Sequence, residues 1–256
     1  MTDQARKAEQ FRELHVPGSP LILFNVWDAG SAKAVASGGA KAIATSSWSV
    51  ANASGFADGE LLPLRLAMDN LRRIADATEL PVTVDLESGY GDLPGVVAET
   101  IGLAIDAKAV GCNLEDSFPA NGKLRETADQ AARIRRARQT ADAANLRFFI
   151  NARTDIFFQR PPEQHNEAMV VEAIERARAY ADAGADGIFA PGLVDLSLIA
   201  RLAEASPLPL NIMIGDATPP VAALAQHRVA RVSYGPRPYL IAMKALEGAA
   251  RAAHRL

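Results

Sequence analysis

The strongest constraint on the fold is a pattern of short apolar runs, each followed by a stretch with helical periodicity. Eight runs occur in 256 residues, about one every 32 residues, which is close to the length of one strand plus one crossover helix. The predicted strands cover residues 21–25, 42–45, 82–85, 110–114, 148–151, 187–190, 210–214 and 229–233. The intervening stretches are predicted to be helices, and Thr127 with Gln130 resembles a capping box ahead of a helix over 128–143.

The strand runs lack the alternation of polar and apolar residues that marks a sheet with one solvated face. They therefore predict a parallel sheet that is covered by helices on both faces. Eight units in a chain of this length favour an α/β fold of the TIM type, a single-domain (β/α)8 barrel, over an open doubly wound sheet. The open sheet stays an alternative, because periodicity does not show whether the sheet edges meet. No linker-like segment divides the chain, so one domain over residues 1–256 is expected.

The composition excludes several classes of protein. Lys and Arg number 27 against 30 Asp and Glu, and the net charge of −3 gives no basic excess for a nucleic-acid partner. The single cysteine, Cys112, excludes an internal disulfide framework and a multi-thiolate metal site. No apolar run approaches the roughly 18 residues of a membrane span, and the polar start of the sequence lacks the apolar core of a secretory signal. We therefore expect a cytoplasmic enzyme or small-ligand binder without nucleic-acid or membrane partners.

Acidic residues gather at the ends of successive predicted strands, where TIM-type barrels build their active sites. Asp85 and Glu87 follow the third predicted strand, and Glu115 follows the fourth. Carboxylates on neighbouring strands repel each other unless protons or a cation neutralise them. Because the set offers oxygen ligands without clustered His or Cys, it favours a hard ion, Mg²⁺ or Mn²⁺. The alternative is that each acid caps a following helix or faces water.

Arg153 follows the fifth predicted strand and is the candidate for binding an anionic substrate. A planar guanidinium can hold a carboxylate through two parallel hydrogen bonds, and its charge would offset the repulsion between the acids and such a substrate. The alternative is a structural ion pair with a nearby acid such as Asp155. Ser46 and Ser47, with their backbone amides, are candidates for holding a second carboxylate.

Two long connections are predicted to lie above the proposed site. Residues 46–62 form a stretch that is too long for an ordinary strand-to-helix connection, and residues 116–126 form a second one. Each is either a mobile lid that excludes water on closing or a plain surface insert.

Five motifs, in order along the chain, resemble the isocitrate lyase and phosphoenolpyruvate mutase superfamily. They are NVWDA at 25–29, DLESGYG at 85–91, NLED at 113–116, NARTD at 151–155 and VSYG at 232–235. The resemblance spans about residues 12–240, nearly the whole chain. It implies a (β/α)8 barrel, Mg²⁺ chelated by a 2-oxo or 2-hydroxy acid, and a homo-oligomer (dimer or tetramer) whose last helix is exchanged between subunits.

The resemblance also implies a role for each matching residue. Asp85 would bind the metal directly, while Glu87 and Glu115 would act mostly through its water ligands. Arg153 would bind a substrate carboxylate, and Asp58, on the loop above, would join it as a catalytic candidate. The substrate-binding candidates are Trp27, Ser46, Ser47, Trp48, Arg153 and Asn211.

Departures from the superfamily pattern bear on the reaction. Isocitrate and 2-methylisocitrate lyases carry a Lys-Lys/Arg-Cys-Gly-His loop after the Glu-Asp pair, whereas residues 117–123 read SFPANGK, without cysteine or histidine. The glutamate that those lyases carry after the sixth strand is also absent, since residues 190–192 read APG. Both reactions are therefore disfavoured. The Lys-x-Asn-Ser motif of the phosphonate-forming mutases is poorly matched by residues 121–123, and Glu87 stands where the superfamily usually has Asp.

The predicted reaction combines what the superfamily resemblance implies with the acids, the arginine and the missing thiol. We predict a Mg²⁺-dependent lyase that cleaves a C–C bond of a small 2-oxo or 2-hydroxy dicarboxylic acid through a metal-stabilised enolate, as in oxaloacetate decarboxylation. One alternative is P–C bond chemistry of the phosphonopyruvate hydrolase or carboxyvinyl-carboxyphosphonate phosphorylmutase type. The other is a non-catalytic protein that binds the metal and a 2-oxo acid.

Overall fold

The computed structural model describes residues 2–254; Met1, Arg255 and Leu256, at the ends of the predicted domain, lie outside the described residues. All eight predicted strands are present, and helices alternate with them. The strands are β1 (Leu21–Leu23), β2 (Ile43–Ala44), β3 (Val82–Asp85), β4 (Gly111–Glu115), β5 (Phe149–Arg153), β6 (Gly187–Phe189), β7 (Leu210–Met213) and β8 (Arg231–Ser233). The helices are α1 (Asp3–Glu13), α2 (Ala29–Ser37), α3 (Ser47–Ala53), α4 (Leu64–Asp76), α5 (Pro94–Asp106), α6 (Thr127–Ala143), α7 (Glu167–Asp182), α8 (Leu196–Ala205), α9 (Val221–Gln226) and α10 (Arg237–Ala253).

The strands form a nearly closed barrel. Strands β2 to β8 pair in chain order and β8 pairs with β1, always in parallel. Between β1 and β2 the pairing is reduced to one bridge beyond the strand ends, where the Val26 amide donates to the Ala44 carbonyl at 2.8 Å. Asn25 reinforces this junction, because its Nδ2 donates to the Thr45 carbonyl at 2.8 Å. The barrel prediction is confirmed, and the open-sheet alternative is wrong.

Polar side chains fill part of the barrel interior, which the apolar strand pattern did not predict. Asn113 Oδ1 accepts hydrogen bonds from Asn151 Nδ2 at 2.9 Å and from Arg231 Nη2 at 3.0 Å. Asn211 Nδ2 donates to Ser233 Oγ at 3.1 Å. Burial lowers the pKa of Arg231 to about 9. The barrel therefore carries a buried guanidinium close to its axis, within a network of amide groups.

Aromatic side chains pack on the amino-terminal end of β5. The His15 ring stacks on Phe149 with 4.0 Å between centroids, and Phe11 meets both rings edge-on. Burial, with the Arg231 charge second, lowers the pKa of His15 to about 3. His15 is therefore a neutral packing residue at neutral pH.

The last helix leaves the barrel surface. Only Pro238 of α10 is buried, whereas Leu240, Ile241 and Leu246 expose half or more of their surface. Ile22 and Phe24 on the outer face of β1 are also exposed, and they line a groove that the end of α1 and α2 border. Within the described part of the chain, neither α10 nor any other helix has the length and apolarity of a membrane span.

Candidate active site

Asp85 ends β3 and lies at the centre of the candidate site. Its Oδ2 accepts hydrogen bonds from the Ser47 amide at 3.2 Å and from Ser47 Oγ at 3.0 Å. Its backbone amide donates to Thr45 Oγ1 at 2.9 Å, which fixes the strand end against the neighbouring connection. Oδ1 is buried and has no hydrogen-bond partner among the described residues. A buried carboxylate oxygen without a partner is costly, so this atom is the natural position for a ligand.

Glu87 lies two residues beyond Asp85, in the left-handed backbone region with a φ of 53°. Its Oε2 accepts hydrogen bonds from the backbone amides of Gly59 and Glu60, both at 2.8 Å. Burial first, and then the charges of Asp58 and Asp85, raise the pKa of Glu87 to about 8. Glu87 therefore neither caps a helix nor faces water, and one of its two oxygens is engaged by the backbone.

Glu115 and Arg153 form an ion pair between the ends of β4 and β5. Arg153 Nη1 lies 2.8 Å from Glu115 Oε2, and Arg153 Nε donates to Asp155 Oδ1 at 2.6 Å. Arg153 Nη2 adds a second bond to Asp155 Oδ2 at 3.1 Å. Burial alone would lower the pKa of Arg153, but Glu115 and Asp155 outweigh it and raise that pKa. The structural ion pair with Asp155 is thus present, and it leaves two of the five guanidinium N–H groups free of these bonds.

Asp116 supports this ion pair from behind, a role that the sequence reasoning missed. It is completely buried, and its Oδ1 accepts a hydrogen bond from the Asp155 amide at 2.9 Å. Its Oδ2 accepts from Tyr180 Oη at 2.8 Å and from Arg176 Nη1 at 3.2 Å. The only sequence signal was the position of Asp116 directly after Glu115 at a strand end.

Asp58 lies on the exposed segment between α3 and α4. Partial burial and the nearby Asp85 carboxylate raise the pKa of Asp58. The next residue, Gly59, donates its amide to Glu87 Oε2 at 2.8 Å, so Asp58 lies beside the acids that follow β3. The structure therefore brings this predicted residue to the site.

The remaining substrate-binding candidates occupy three other positions. Trp27 and Trp48 pack edge-on against Tyr239, with ring centroids 5.1 and 5.9 Å apart respectively. Ser46 caps α3, because its hydroxyl accepts from the Ser49 amide at 3.4 Å. Asn211 lies inside the barrel and is bonded to Ser233, as described above. The Ser46 hydroxyl is thus already engaged, whereas the neighbouring Ser47 side chain points to Asp85.

The two long connections, predicted to be lids or surface inserts, contain regular structure. Helix α3 (Ser47–Ala53) occupies the first part of residues 46–62. Residues 116–126 form a small hairpin, in which the Phe118 amide donates to the Lys123 carbonyl at 2.9 Å. The Arg125 guanidinium lies 4.0 Å from the centre of the Phe118 ring. Both connections therefore carry defined structure next to the site.

The donor set fits a hydrated Mg²⁺ better than a closed metal cage. Among residues 2–254, no three His, Cys, Asp or Glu side chains converge closely enough to enclose an ion. Asp85 offers one free buried oxygen, and Ser47, Asp85 and Glu87 line a common small cavity. Mg²⁺ commonly keeps several water ligands and takes only one or two carboxylates from the protein. Asp85 as the direct ligand, with neighbouring acids bonded to metal waters, agrees with this chemistry.

Comparison with known families tests the family relationship that the five motifs implied. The family model described as phosphoenolpyruvate phosphomutase matches residues 11–254. The chain belongs to this family. Family membership places it in the isocitrate lyase and phosphoenolpyruvate mutase superfamily, as the five motifs predicted.

Individual relatives of the family cover several reactions. A crystal structure from Burkholderia cenocepacia J2315, provisionally described as a phosphonomutase, has a TM-score of 0.96 and 56% identity over 98% of this chain and 99% of that chain. The 2-methylisocitrate lyase of Salmonella typhimurium (strain LT2) is 31% identical over 82% of this chain and 72% of its own length. Oxaloacetate acetylhydrolase in complex with oxalate has a TM-score of 0.84 and 25% identity over 94% of this chain and 84% of that chain. These similar proteins are lyases, hydrolases and mutases, which supports an enzymatic role.

Proposed function

We propose that the chain is a Mg²⁺-dependent lyase that cleaves a C–C bond in a small 2-oxo dicarboxylic acid, with oxaloacetate as the first candidate. The observation that carries the proposal is the buried, unpartnered Oδ1 of Asp85, next to Ser47 and Glu87. Similarity to oxaloacetate acetylhydrolase supports the choice of substrate class.

The residues around Asp85 supply the requirements of such a reaction. A bound Mg²⁺ would offset the negative charge that develops on the substrate oxygens when the bond breaks. Arg153 retains two N–H groups that can donate to a substrate carboxylate while Asp155 and Glu115 hold its plane. Asp58, on the segment above the site, would hold or move a proton at its carboxylate.

The absence of a suitable thiol supports bond cleavage that needs little proton transfer from the protein. Cys112 is fully buried in β4, and burial raises the pKa of its thiol. Residues 117–123, where related lyases have cysteine and histidine, contain neither. Decarboxylation of a 2-oxo acid suits this site better than the retro-aldol cleavage of 2-methylisocitrate.

Turnover of three substrates tests the proposal. Oxaloacetate, phosphonopyruvate and 2-methylisocitrate are each incubated with the protein in Mg²⁺ and in EDTA. We expect EDTA-sensitive turnover of oxaloacetate that exceeds the rate of Mg²⁺ alone. Preferential cleavage of 2-methylisocitrate would contradict the exclusion of that reaction.

P–C bond chemistry is the second candidate, favoured by the similarity to the Burkholderia protein described as a phosphonomutase. Faster turnover of phosphonopyruvate than of oxaloacetate would establish it. Tight binding of keto acids without turnover of any of them would instead favour a non-catalytic binder.

We also propose that the chain forms a homo-oligomer by exchange of α10. Leu240, Ile241 and Leu246 are large apolar side chains that this helix exposes. The groove beside Ile22 and Phe24 is apolar as well, and α10 of a second copy would cover it. Burying both surfaces would remove apolar area from water, which favours assembly.

A further inference from the structure

Two glutamates join the segment that carries Asp58 to the connection that follows β3. On one side, Glu87 Oε2 accepts hydrogen bonds from the backbone amides of Gly59 and Glu60, both at 2.8 Å. On the other side, Glu60 Oε1 accepts hydrogen bonds from Ser88 Oγ at 2.7 Å and from the Tyr90 amide at 2.8 Å. The four bonds cross between the two segments, and we refer to them as the Glu60–Glu87 clasp.

The backbone on both sides of the clasp is held in an uncommon conformation. Gly59 and Glu60 have φ values of 92° and 62°, and Glu87, Gly89 and Tyr90 have values of 53°, 101° and 59°. Three of these residues are not glycine, so the left-handed region costs them free energy. Such a conformation persists only where surrounding interactions impose it. The four bonds of the clasp are interactions of that kind.

Apolar packing does not hold the segment in place. Residues 53–58 are exposed, and the next buried apolar side chain is Leu62, which packs with Val50 and Ala51. Between α3 and Leu62 the amides of Gly59 and Glu60 bond the segment to Glu87, just beyond the end of β3. Asp58 directly precedes the first of these bonded residues.

We propose that Glu60 is a positioning residue, which holds Asp58 over Asp85 through the Glu60–Glu87 clasp. The proposal rests on the proposed function in one respect, because it assumes that Asp58 acts on the substrate. It also assigns a second task to Glu87: Oε2 anchors the segment, and only Oε1 is left for a water of the metal. An aspartate at position 87 would be one methylene shorter and would reach less far toward the Gly59 and Glu60 amides.

Amide hydrogen exchange tests the clasp without reference to activity. We compare the wild type with Glu60→Ala, with Glu60→Gln, which keeps an acceptor oxygen, and with Glu99→Ala, which removes an exposed glutamate on α5. In Glu60→Ala the amides of Gly59, residue 60 and Tyr90 should exchange about tenfold faster, as expected when a local opening becomes easier. Glu60→Gln and Glu99→Ala should stay within about threefold of the wild type. Unchanged exchange in Glu60→Ala overturns the clasp.

Steady-state kinetics with oxaloacetate and Mg²⁺ then test the positioning role. Glu60→Ala should lower kcat about tenfold with KM nearly unchanged, because the groups proposed to bind substrate are untouched. Glu60→Gln should recover most of kcat. Faster exchange with an unchanged kcat overturns the positioning role while the clasp stands. If the wild type turns over no keto acid, the proposed function and the positioning role both fail, whereas the exchange data still decide the clasp.

Discussion

Arg153 lies 2.8 Å from Glu115 and so joins the ends of β4 and β5 through a buried ion pair. The same guanidinium makes two bonds to Asp155, and Asp116 fixes that residue from behind. Glu115 and Asp155 thus fix the plane of the guanidinium, and its remaining N–H groups are oriented before any substrate arrives. Such orientation lowers the entropy cost of binding a carboxylate.

Replacing Arg153 by lysine should test this orientation. An ammonium group cannot make the paired bonds to Asp155 and also reach Glu115 with the same geometry. We expect Arg153→Lys to lower kcat/KM for oxaloacetate about 100-fold, the effect of a misplaced binding group. Arg65→Lys, on the exposed face of α4, is the matched control and should leave kcat/KM unchanged. A decrease in kcat/KM of less than threefold in Arg153→Lys would contradict the role of the guanidinium geometry.

Asp85→Asn should abolish the response of the protein to Mg²⁺. If Mg²⁺ binds the folded state alone, a concentration of about 100 times Kd stabilises the wild type by about 2.7 kcal/mol. Thermal unfolding with and without Mg²⁺ should show this rise in Tm for the wild type and for Asp69→Asn, an exposed control on α4. An equal rise in Tm for Asp85→Asn would show that Asp85 does not bind the metal.

His15 should make the fold less stable in mild acid. Its pKa is about 3 in the folded protein against an ordinary value of 6.5, so the unfolded chain takes up the proton first as the pH falls. Stability is therefore complete above about pH 6.5 and declines from there toward pH 3, by on the order of 1 kcal/mol per pH unit. Urea unfolding at pH 7 and pH 5 should show a smaller decline in His15→Phe. His227→Gln should decline like the wild type, and identical curves for His15→Phe and wild type would contradict the prediction.

Thiol reagents should leave activity intact. Cys112 is buried in β4 with a raised pKa, so its thiolate is scarce and inaccessible. We expect iodoacetamide to leave the turnover of oxaloacetate within about threefold, and Cys112→Ala to do the same. Inactivation of the wild type that Cys112→Ala escapes would show a role for the thiol.

Charges in place of exposed apolar side chains of α10 should dissociate the proposed oligomer. Light scattering after gel filtration should give a dimer or tetramer for the wild type. Ile241→Glu with Leu246→Glu should give a monomer, because the charged groups would have to be buried at the interface. Leu103→Glu, which places the same charge at an exposed leucine of α5, is the control and should keep the assembly. A monomeric wild type at micromolar concentration would contradict the exchange of α10.

Much of the barrel was predictable because short apolar runs alternate with stretches of helical periodicity. The eight apolar runs correspond to eight strands, and the acids at 85, 87 and 115 follow from counting strand ends. The interior was less predictable, since Asn113, Asn151 and Arg231 project inward from runs that read as apolar. Single-strand patterns do not reveal that Asn113 will bond both to Asn151 on the neighbouring β5 and to Arg231 on the distant β8.

Some local sequence signals were misinterpreted because the same residues fit two different structures. Thr127 is the first residue of α6 and Glu126 takes the N-cap position without a side-chain bond, so the predicted capping box is wrong. Ser46 does cap a helix, α3, which the reading of 46–62 as one long connection overlooked. Glu60 was not predicted to matter, because its partners Ser88 and Tyr90 are about 30 residues away and only the folded chain brings them together.

The single bridge between β1 and β2 has a consequence for ligand binding. Trp27 and Ser46, both candidates for contacting the substrate, flank the least bonded seam of the ring. A ligand that contacts both residues would connect β1 to β2 at this junction. Ligand binding at the open end of the barrel would then also strengthen the connection between β1 and β2.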